Sequence, residues 1–288
     1  MINNLKKLYL QKIRKLYLPR DIIRDSIRKN HDRLAVIDGE RKISYGELYK
    51  RAKRLINSLT ELGINKGDRV AVLMYNCQEY FELRIASYIS GIVLVPLVWD
   101  MKIKDIIFIL DDCSVKALIY DRRIINANKL KKKSNVEYLI ELNGKKENDY
   151  ENLINKGELI KPEITICEDD LASINFSSGT TGRPKGVLLT HKNWIDSFYN
   201  YVLNSSNSRI KDIRILHLLS FATAGGTSFL PAFFLGATNV VLLRFNLKES
   251  VELIGKYNIN TIFLTPSYLT EIFDYCRENK YPYLFLKK

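Results

Sequence analysis

The sequence predicts a layered α/β protein built on largely parallel sheets. Short apolar runs alternate with segments of helical periodicity along most of the chain, and this alternation indicates βαβ units. Of the 288 residues, 46% are hydrophobic and 27% are charged, as in ordinary globular domains. At roughly 100–200 residues per domain, the length predicts one large domain or two modest ones.

The first strand and the first helix are predicted from turn and capping residues at their ends. A short strand is expected at 35–37, before a turn at Asp38-Gly39. Ser44 and Glu47 have the spacing of a capping box, in which each side chain bonds a free backbone N–H of the other residue. Apolar residues then recur at helical spacing until Gly63, which tolerates the positive φ of a helix end.

The same alternation continues to the end of the chain. Further strands are predicted at 69–74, 92–96, 116–120, 136–142, 171–176, 213–219, 240–243 and 261–264. Further helices are predicted at 78–90, 102–112, 191–204, 247–257 and 267–277. Residues 143–168 are polar and irregular, which predicts a surface excursion and a subdomain boundary.

Several classes of protein and site are disfavoured by composition. The longest clean apolar stretch, residues 92–99, is far shorter than the ~20 residues of a membrane helix. Lys and Arg interrupt the N-terminus, so it has no apolar core of a secretory signal. The four cysteines are scattered without a CxxC pair. They predict buried thiols in a reducing cytoplasm and no metal site.

Much of the net charge of +13 lies at the N-terminus, where residues 1–33 carry ten Lys and Arg but three Asp. We interpret residues 1–18 as a solvated basic leader. The alternative is weak contact with an anionic partner such as a membrane surface. No Arg/Gly-rich or aromatic-interleaved tract indicates a specific nucleic-acid partner.

Residues 177–186, Ser-Ser-Gly-Thr-Thr-Gly-Arg-Pro-Lys-Gly, follow a predicted strand and have the composition of a phosphate-binding loop. Glycines let backbone N–H groups turn toward an anion, hydroxyls add donors, and a lysine adds charge. The segment is not a Walker A loop, because Pro184 and Gly186 occupy the positions of its second Gly and its Ser/Thr. The alternative is an ordinary turn between two strands.

This loop closely resembles the signature of the adenylate-forming enzymes, which include acyl- and aryl-CoA synthetases, luciferase and peptide-synthetase adenylation domains. Four further segments resemble other elements of that family in the same order along the chain. They are residues 43–48, 67–71, 91–97 and 234–245, with 263–266 after them. The resemblance spans roughly residues 20–270. It implies the αβα subdomains of the family's large N-terminal domain, here residues 19–288 and incomplete at the C-terminus.

The resemblance also implies a two-step reaction. A carboxylate attacks the α-phosphate of ATP to give an acyl-adenylate and pyrophosphate, and a thiol, usually coenzyme A, then takes the acyl group. ATP with Mg²⁺, a small carboxylic acid and coenzyme A are the implied partners. The implied phosphate-binding residues are Ser177, Ser178, Gly179, Thr180, Thr181, Gly182, Lys185 and Gly186, with Arg183 solvated.

The chain departs from the family pattern in the acyl-pocket segment (residues 219–225). The histidine that many CoA ligases carry there falls on Ala222 or Thr223. The acyl-pocket candidates are therefore Phe221, Ala222, Thr223 and Gly225. His217 is predicted to be a core residue rather than a substitute.

The chain also contains no counterpart of the family's adenine-binding segment, its magnesium-binding Glu, its ribose-binding Asp or its adenylation Lys. No catalytic residue is identifiable, and we expect the 288 residues alone to be an inactive N-terminal part. The alternatives are a non-catalytic remnant or interaction module, and half of a split ligase that needs a complementing chain. Self-association is expected if apolar surface stays uncovered. A peptide-synthetase adenylation domain is the enzymatic alternative.

Overall fold

Two sheets and the helices packed on them make up the described part of the chain. The computed structural model describes residues 18–126, 130, 133–144, 149–159, 164–177, 183–204, 212–279 and 281. The strands are β1 (Leu34–Asp38), β2 (Arg41–Ser44), β3 (Arg69–Leu73), β4 (Val93–Leu97), β5 (Ala117–Asp121), β6 (Tyr138–Leu142), β7 (Leu171–Ser177), β8 (Lys185–Thr190), β9 (Arg214–His217), β10 (Thr238–Val241) and β11 (Thr261–Phe263).

Each sheet is parallel except at one edge. The larger sheet has the order β6-β5-β3-β4-β7-β8, and its edge strand β8 is antiparallel to β7. The smaller sheet has the order β11-β9-β10-β1-β2, and its edge strand β2 is antiparallel to β1. The predicted α/β class with largely parallel sheets is confirmed.

The helices in chain order are α1 (Pro19–Asn30), α2 (Tyr45–Glu61), α3 (Gln78–Ser90), α4 (Ile103–Asp112), α5 (Tyr150–Lys156), α6 (His191–Asn204), α7 (Phe229–Phe234), α8 (Leu247–Lys256) and α9 (Pro266–Glu278). A 3₁₀ turn, Ala224–Ser228, leads into α7. Each strand and helix predicted from the sequence is present. The elements not predicted are α1, α5, α7, β2 and β8.

The prediction that residues 143–168 are irregular is wrong, because this segment contains α5. The Asp149 carboxylate caps α5 by accepting a hydrogen bond from the Asn152 N–H at 2.8 Å. Tyr150, Leu153 and Ile154 are buried, and the Ser58 hydroxyl of α2 donates to the Leu153 carbonyl at 2.6 Å. Seven residues span only two helical turns, too few to give a clear period. The segment joins β6 to β7 within one sheet, and a subdomain boundary there stays a prediction.

Helix α3 lies between the two sheets. It contacts β1 of the smaller sheet and β4 of the larger one, and all thirteen of its residues are buried. Its end is fixed by Gly91, which has a φ of +74°, the left-handed conformation that glycine adopts without steric cost. Because all of its residues are buried, α3 has no face toward solvent.

Candidate functional site

The predicted phosphate loop closes a β-hairpin at the edge of the larger sheet. Strands β7 and β8 pair from Leu171 opposite Thr190 to Ser177 opposite Lys185. Of the predicted phosphate-binding residues, Ser177, Lys185 and Gly186 are described and stand at the mouth of this hairpin. Ser178, Gly179, Thr180, Thr181 and Gly182 lie outside the described residues.

The topology places the hairpin mouth at the carboxyl edge of a parallel sheet. Strand β7 runs parallel to β4, and β4 runs parallel to β3. Ser177 therefore ends its strand at the same edge as Leu73 and Leu97. In open α/β sheets this edge is where ligands bind.

Most of the described residues at this end of the hairpin are exposed. Lys185 is exposed, and Arg183 is also exposed, with its guanidinium 5.8 Å from the centre of the Phe108 ring. A Cβ on Gly186 would lie 3.1 Å from the Phe176 ring and 3.2 Å from Ile174. A side chain at Gly186 would therefore crowd the residues that pair across the hairpin.

The acyl-pocket candidates lie on a tight turn after β9. Phe221 and Ala222 are buried, whereas Thr223 is exposed. The Gly225 N–H donates to the Ser220 carbonyl at 3.1 Å. A Cβ on Gly225 would lie 2.6 Å from the Leu219 carbonyl oxygen, so this turn requires a glycine.

Asn76, which the sequence reasoning missed, holds this turn from the end of β3. Its side chain donates to the Leu219 carbonyl at 3.0 Å and accepts from the Phe221 N–H at 2.8 Å. These contacts join residues more than 140 positions apart, so no local pattern reveals them. Asn76 links the acyl-pocket segment to the carboxyl edge of the larger sheet.

His217 is a core residue, as predicted. It is buried at the end of β9, and its Nε2 donates to the Asn239 side-chain oxygen at 2.9 Å. Burial lowers the pKa of His217 to about 4, so the imidazole is neutral at neutral pH. The Asn239 amide in turn donates to the Ala35 carbonyl at 2.9 Å, and the network joins β9, β10 and β1.

Within the ranges that the structure describes, no group of three or more His, Cys, Asp or Glu could hold a metal ion. No helix among the described residues is long and apolar enough to cross a membrane.

Curated relatives of the chain include acyl-CoA ligases and a peptide synthetase. The chain is 29% identical to an uncharacterised acyl-CoA ligase, YtcI, of Bacillus subtilis (strain 168) over 235 residues, 78% of this chain and 43% of that protein. It is 26% identical to 2-succinylbenzoate–CoA ligase of Geobacillus sp. (strain WCH70), covering 88% of this chain and 49% of that one. It is 26% identical to gramicidin S synthase 1 of Brevibacillus brevis, covering 88% and 23%. The chain thus spans less than half the length of these relatives.

Solved structures show the same fold. A long-chain-fatty-acid-CoA ligase (FadD1) from Archaeoglobus fulgidus superposes with a TM-score of 0.85 at 21% identity, covering 94% of this chain and 56% of that one. The N-terminal domain of FACL13 from Mycobacterium tuberculosis gives a TM-score of 0.81 at 23% identity, covering 89% and 65%. A family model described as AMP-binding enzyme matches residues 23–286. With this match over most of its length, the chain belongs to the AMP-binding enzyme family.

Proposed function

We propose that this chain supplies the ATP phosphate-binding part of an acid–thiol ligase. The reaction joins a carboxylate to AMP with release of pyrophosphate, and then transfers the acyl group to a thiol, with coenzyme A as the acceptor. The observation that carries the proposal is the hairpin of β7 and β8, which places Ser177 opposite the exposed Lys185 at the carboxyl edge of the sheet. The relatives named as acyl-CoA ligases support the same chemistry.

The proposed roles follow from the chemistry of each group. The hydroxyls of Ser177, Ser178, Thr180 and Thr181 would donate to the β- and γ-phosphates, and the Lys185 ammonium would neutralise their charge. Gly179, Gly182 and Gly186 would let the backbone turn toward the phosphates. The acyl group would lie toward Phe221, Ala222, Thr223 and Gly225, and the setting would be the cytoplasm.

Three alternatives keep the same loop. A non-catalytic module, or one half of a split ligase, would bind phosphate without completing the reaction. The likeness to gramicidin S synthase 1 favours a peptide-synthetase adenylation domain as the second enzymatic candidate. The segment before the loop, Ala172-Ser173-Ile174-Asn175-Phe176, differs from the Ala-Tyr-x-x-Tyr-Thr run that is usual in peptide-synthetase domains, and this difference favours the CoA-ligase branch.

A ligand series on the 288-residue chain tests the proposal. Pyrophosphate and ATP should bind weakly, GTP nearly as well as ATP, and AMP less well, because the loop contacts phosphates and the chain has no recognised adenine-binding segment. Titration calorimetry at one salt concentration measures this order, since charged contacts weaken with salt. We expect no acid-dependent exchange of pyrophosphate into ATP by the chain alone. Binding of AMP in preference to pyrophosphate would contradict the proposal.

A further inference from the structure

Arg84, in the middle of α3, is a buried cation with no acidic counterion in the part of the chain that the structure describes. Its side chain is 1% exposed, and no carboxylate among the described residues pairs with its guanidinium, whose polar neighbours are the hydroxyls of Tyr80 and Tyr88. A guanidinium keeps its charge at any physiological pH. A buried charge without a partner is strongly unfavourable, so its presence calls for a ligand or a structural partner.

The carboxylates on α3 are already paired with other arginines. Glu79 accepts from Arg41 Nη2 at 3.2 Å. Glu82 accepts from Arg51 Nε at 2.7 Å. Neither glutamate pairs with Arg84 in the described part of the chain. The two carboxylates of α3 therefore pair with Arg41 and Arg51, and neither pairs with Arg84.

The groups around Arg84 are hydrogen-bond donors and aromatic faces. The guanidinium lies 4.8 Å from the centre of the Trp194 ring and 5.7 Å from that of Tyr80. The hydroxyls of Tyr80 and Tyr88, one turn away on either side, are buried and lie beside the guanidinium, which interacts with both of them. Burial raises the pKa of Tyr88 to about 12, and the nearby Arg84 charge opposes that rise. All three polar groups can donate to one anion.

This cluster lies directly against the acyl-pocket segment. A Cβ on Gly226 would lie 2.9 Å from Arg84 Nη2 and 2.7 Å from the Phe221 carbonyl oxygen. The glycine therefore leaves the guanidinium next to the turn that carries the acyl-pocket candidates. Any larger residue at Gly226 would intrude on that space.

The cluster also contacts the hairpin of β7 and β8. The contact lies away from the loop that joins these two strands. Trp194, which underlies the guanidinium, donates from Nε1 to the Ser173 hydroxyl on β7 at 3.1 Å. Ser173 precedes Ser177 by four residues on that strand, roughly 13 Å at ~3.3 Å per residue. A substrate that begins at the phosphates would present its far end, not its reacting end, to Arg84.

We propose that Arg84, with the hydroxyls of Tyr80 and Tyr88, binds a second carboxylate at the far end of the acid substrate, so that the protein takes dicarboxylic acids. The inference rests on the proposed function, which supplies the carboxyl group that is activated. Arginine binds a carboxylate through two parallel hydrogen bonds. The second carboxylate also neutralises the buried charge. An acid that has only one carboxylate would leave the donors around Arg84 unpaired. Sites built to hydrogen-bond a substrate group bind analogues without that group much more weakly.

The test compares straight-chain dicarboxylic acids of increasing length with monocarboxylic acids of the same carbon number. Binding to the 288-residue chain is measured by calorimetry and by the shift in Tm, without nucleotide. At least one dicarboxylic acid should bind roughly tenfold or more tightly than its matched monocarboxylic acid. Arg84→Met should abolish this preference, and Arg84→Lys should weaken it because the planar fork is lost. Arg28→Met is the matched control, since Arg28 is exposed on α1, and it should keep the preference.

Stability of the unliganded variants gives a second readout. Arg84→Met should raise the Tm without ligand, because an uncompensated buried charge is removed. If that variant does not fold, Arg84 has a structural partner and the proposal fails. Tyr88→Phe, which keeps the ring and removes one donor, should lower dicarboxylate affinity by roughly threefold or more.

The failures of the two proposals are distinguishable. Equal affinity for both acid classes, no binding of any dicarboxylic acid, or a preference that survives in Arg84→Met would each overturn the role of Arg84. Pyrophosphate binding measured in parallel should be unchanged in Arg84→Met. Pyrophosphate binding without a dicarboxylate preference overturns this inference and leaves the proposed function standing. A dicarboxylate preference without any pyrophosphate binding overturns the proposed function.

Discussion

His191 and His217 are ionisable side chains that the fold keeps uncharged. His191 begins α6 and is buried beside the Tyr88 ring, with no hydrogen-bond partner for either ring nitrogen among the described residues. Burial lowers the pKa of His191 to about 4 and that of His217 to about 4, from an ordinary value of 6.5. Both groups therefore take up protons when the chain unfolds below neutral pH.

The stability of the chain should fall between about pH 6.5 and about pH 4. A group whose pKa is lowered in the folded state stabilises that state above its unfolded pKa, and this contribution is lost as the pH falls toward the folded pKa. Within this range, each histidine lowers the free energy of unfolding by up to roughly 1.4 kcal/mol for each pH unit that the pH falls. Burial raises the pKa of Glu82, and this shift acts in the opposite direction.

The measurement is urea unfolding of wild type and His191→Met at about pH 7 and about pH 5. His191→Met should remove roughly half of the loss in unfolding free energy that the histidines cause. An unchanged pH dependence in this variant would show that His191 is accessible to protons in the folded state.

Individual contacts of the candidate site were only partly predictable. His217 was predicted to be a core residue because it falls inside a strand pattern, and the structure agrees. The roles of Asn76 and Arg84 depend on segments far apart in the chain, the turn after β9 and helix α6. A local pattern does not contain that information.

Elements with strong end signals were predicted well. Ser44 caps α2 by accepting from the Glu47 N–H at 3.2 Å, and Gly63 has the positive φ expected of a helix stop. The bounds predicted for α3 and α6 match the structure. Short elements such as α5 and α7 were missed, because six or seven residues carry too little periodicity to separate a helix from a loop.

Strand β8 exposes apolar side chains at the edge of the larger sheet. Val187 is 50% exposed and Leu188 is 61% exposed. Successive strand residues point to opposite faces, so the edge is uncovered on both. Exposed apolar edge strands promote association between chains.

The chain should therefore self-associate at micromolar concentration, and Leu188→Lys should shift it toward the monomer. A charge on an edge strand opposes pairing with another strand. Leu159→Lys is the matched control, since Leu159 is 47% exposed but lies outside any strand. Sedimentation velocity measures the distribution. A wild-type monomer, or an equal effect of the two substitutions, would contradict the prediction.

At the scale of the whole molecule, alternation of strands and helices was sufficient to predict the parallel sheets. The strand orders were not predictable, because nothing local places β1 beside β10, about 200 residues later in the chain. That order nevertheless determines the site. It leaves β7 next to β4, so that the loop joining β7 to β8 begins at the carboxyl edge of the sheet.

The central claim is that this hairpin binds phosphate through Lys185, and the most direct test is calorimetry with pyrophosphate. Lys185→Ala should weaken binding by about 1–3 kcal/mol, the range for losing a hydrogen bond to a charged group. Lys192→Ala is the matched control, because Lys192 is an exposed lysine beyond the opposite end of β8, and its ammonium already pairs with Glu168 at 3.0 Å. Deletion of residues 1–18 controls for non-specific attraction by the basic leader. The account predicts that only Lys185→Ala removes the specific component, at matched salt. Unchanged binding in Lys185→Ala together with lost binding in the deletion would contradict it.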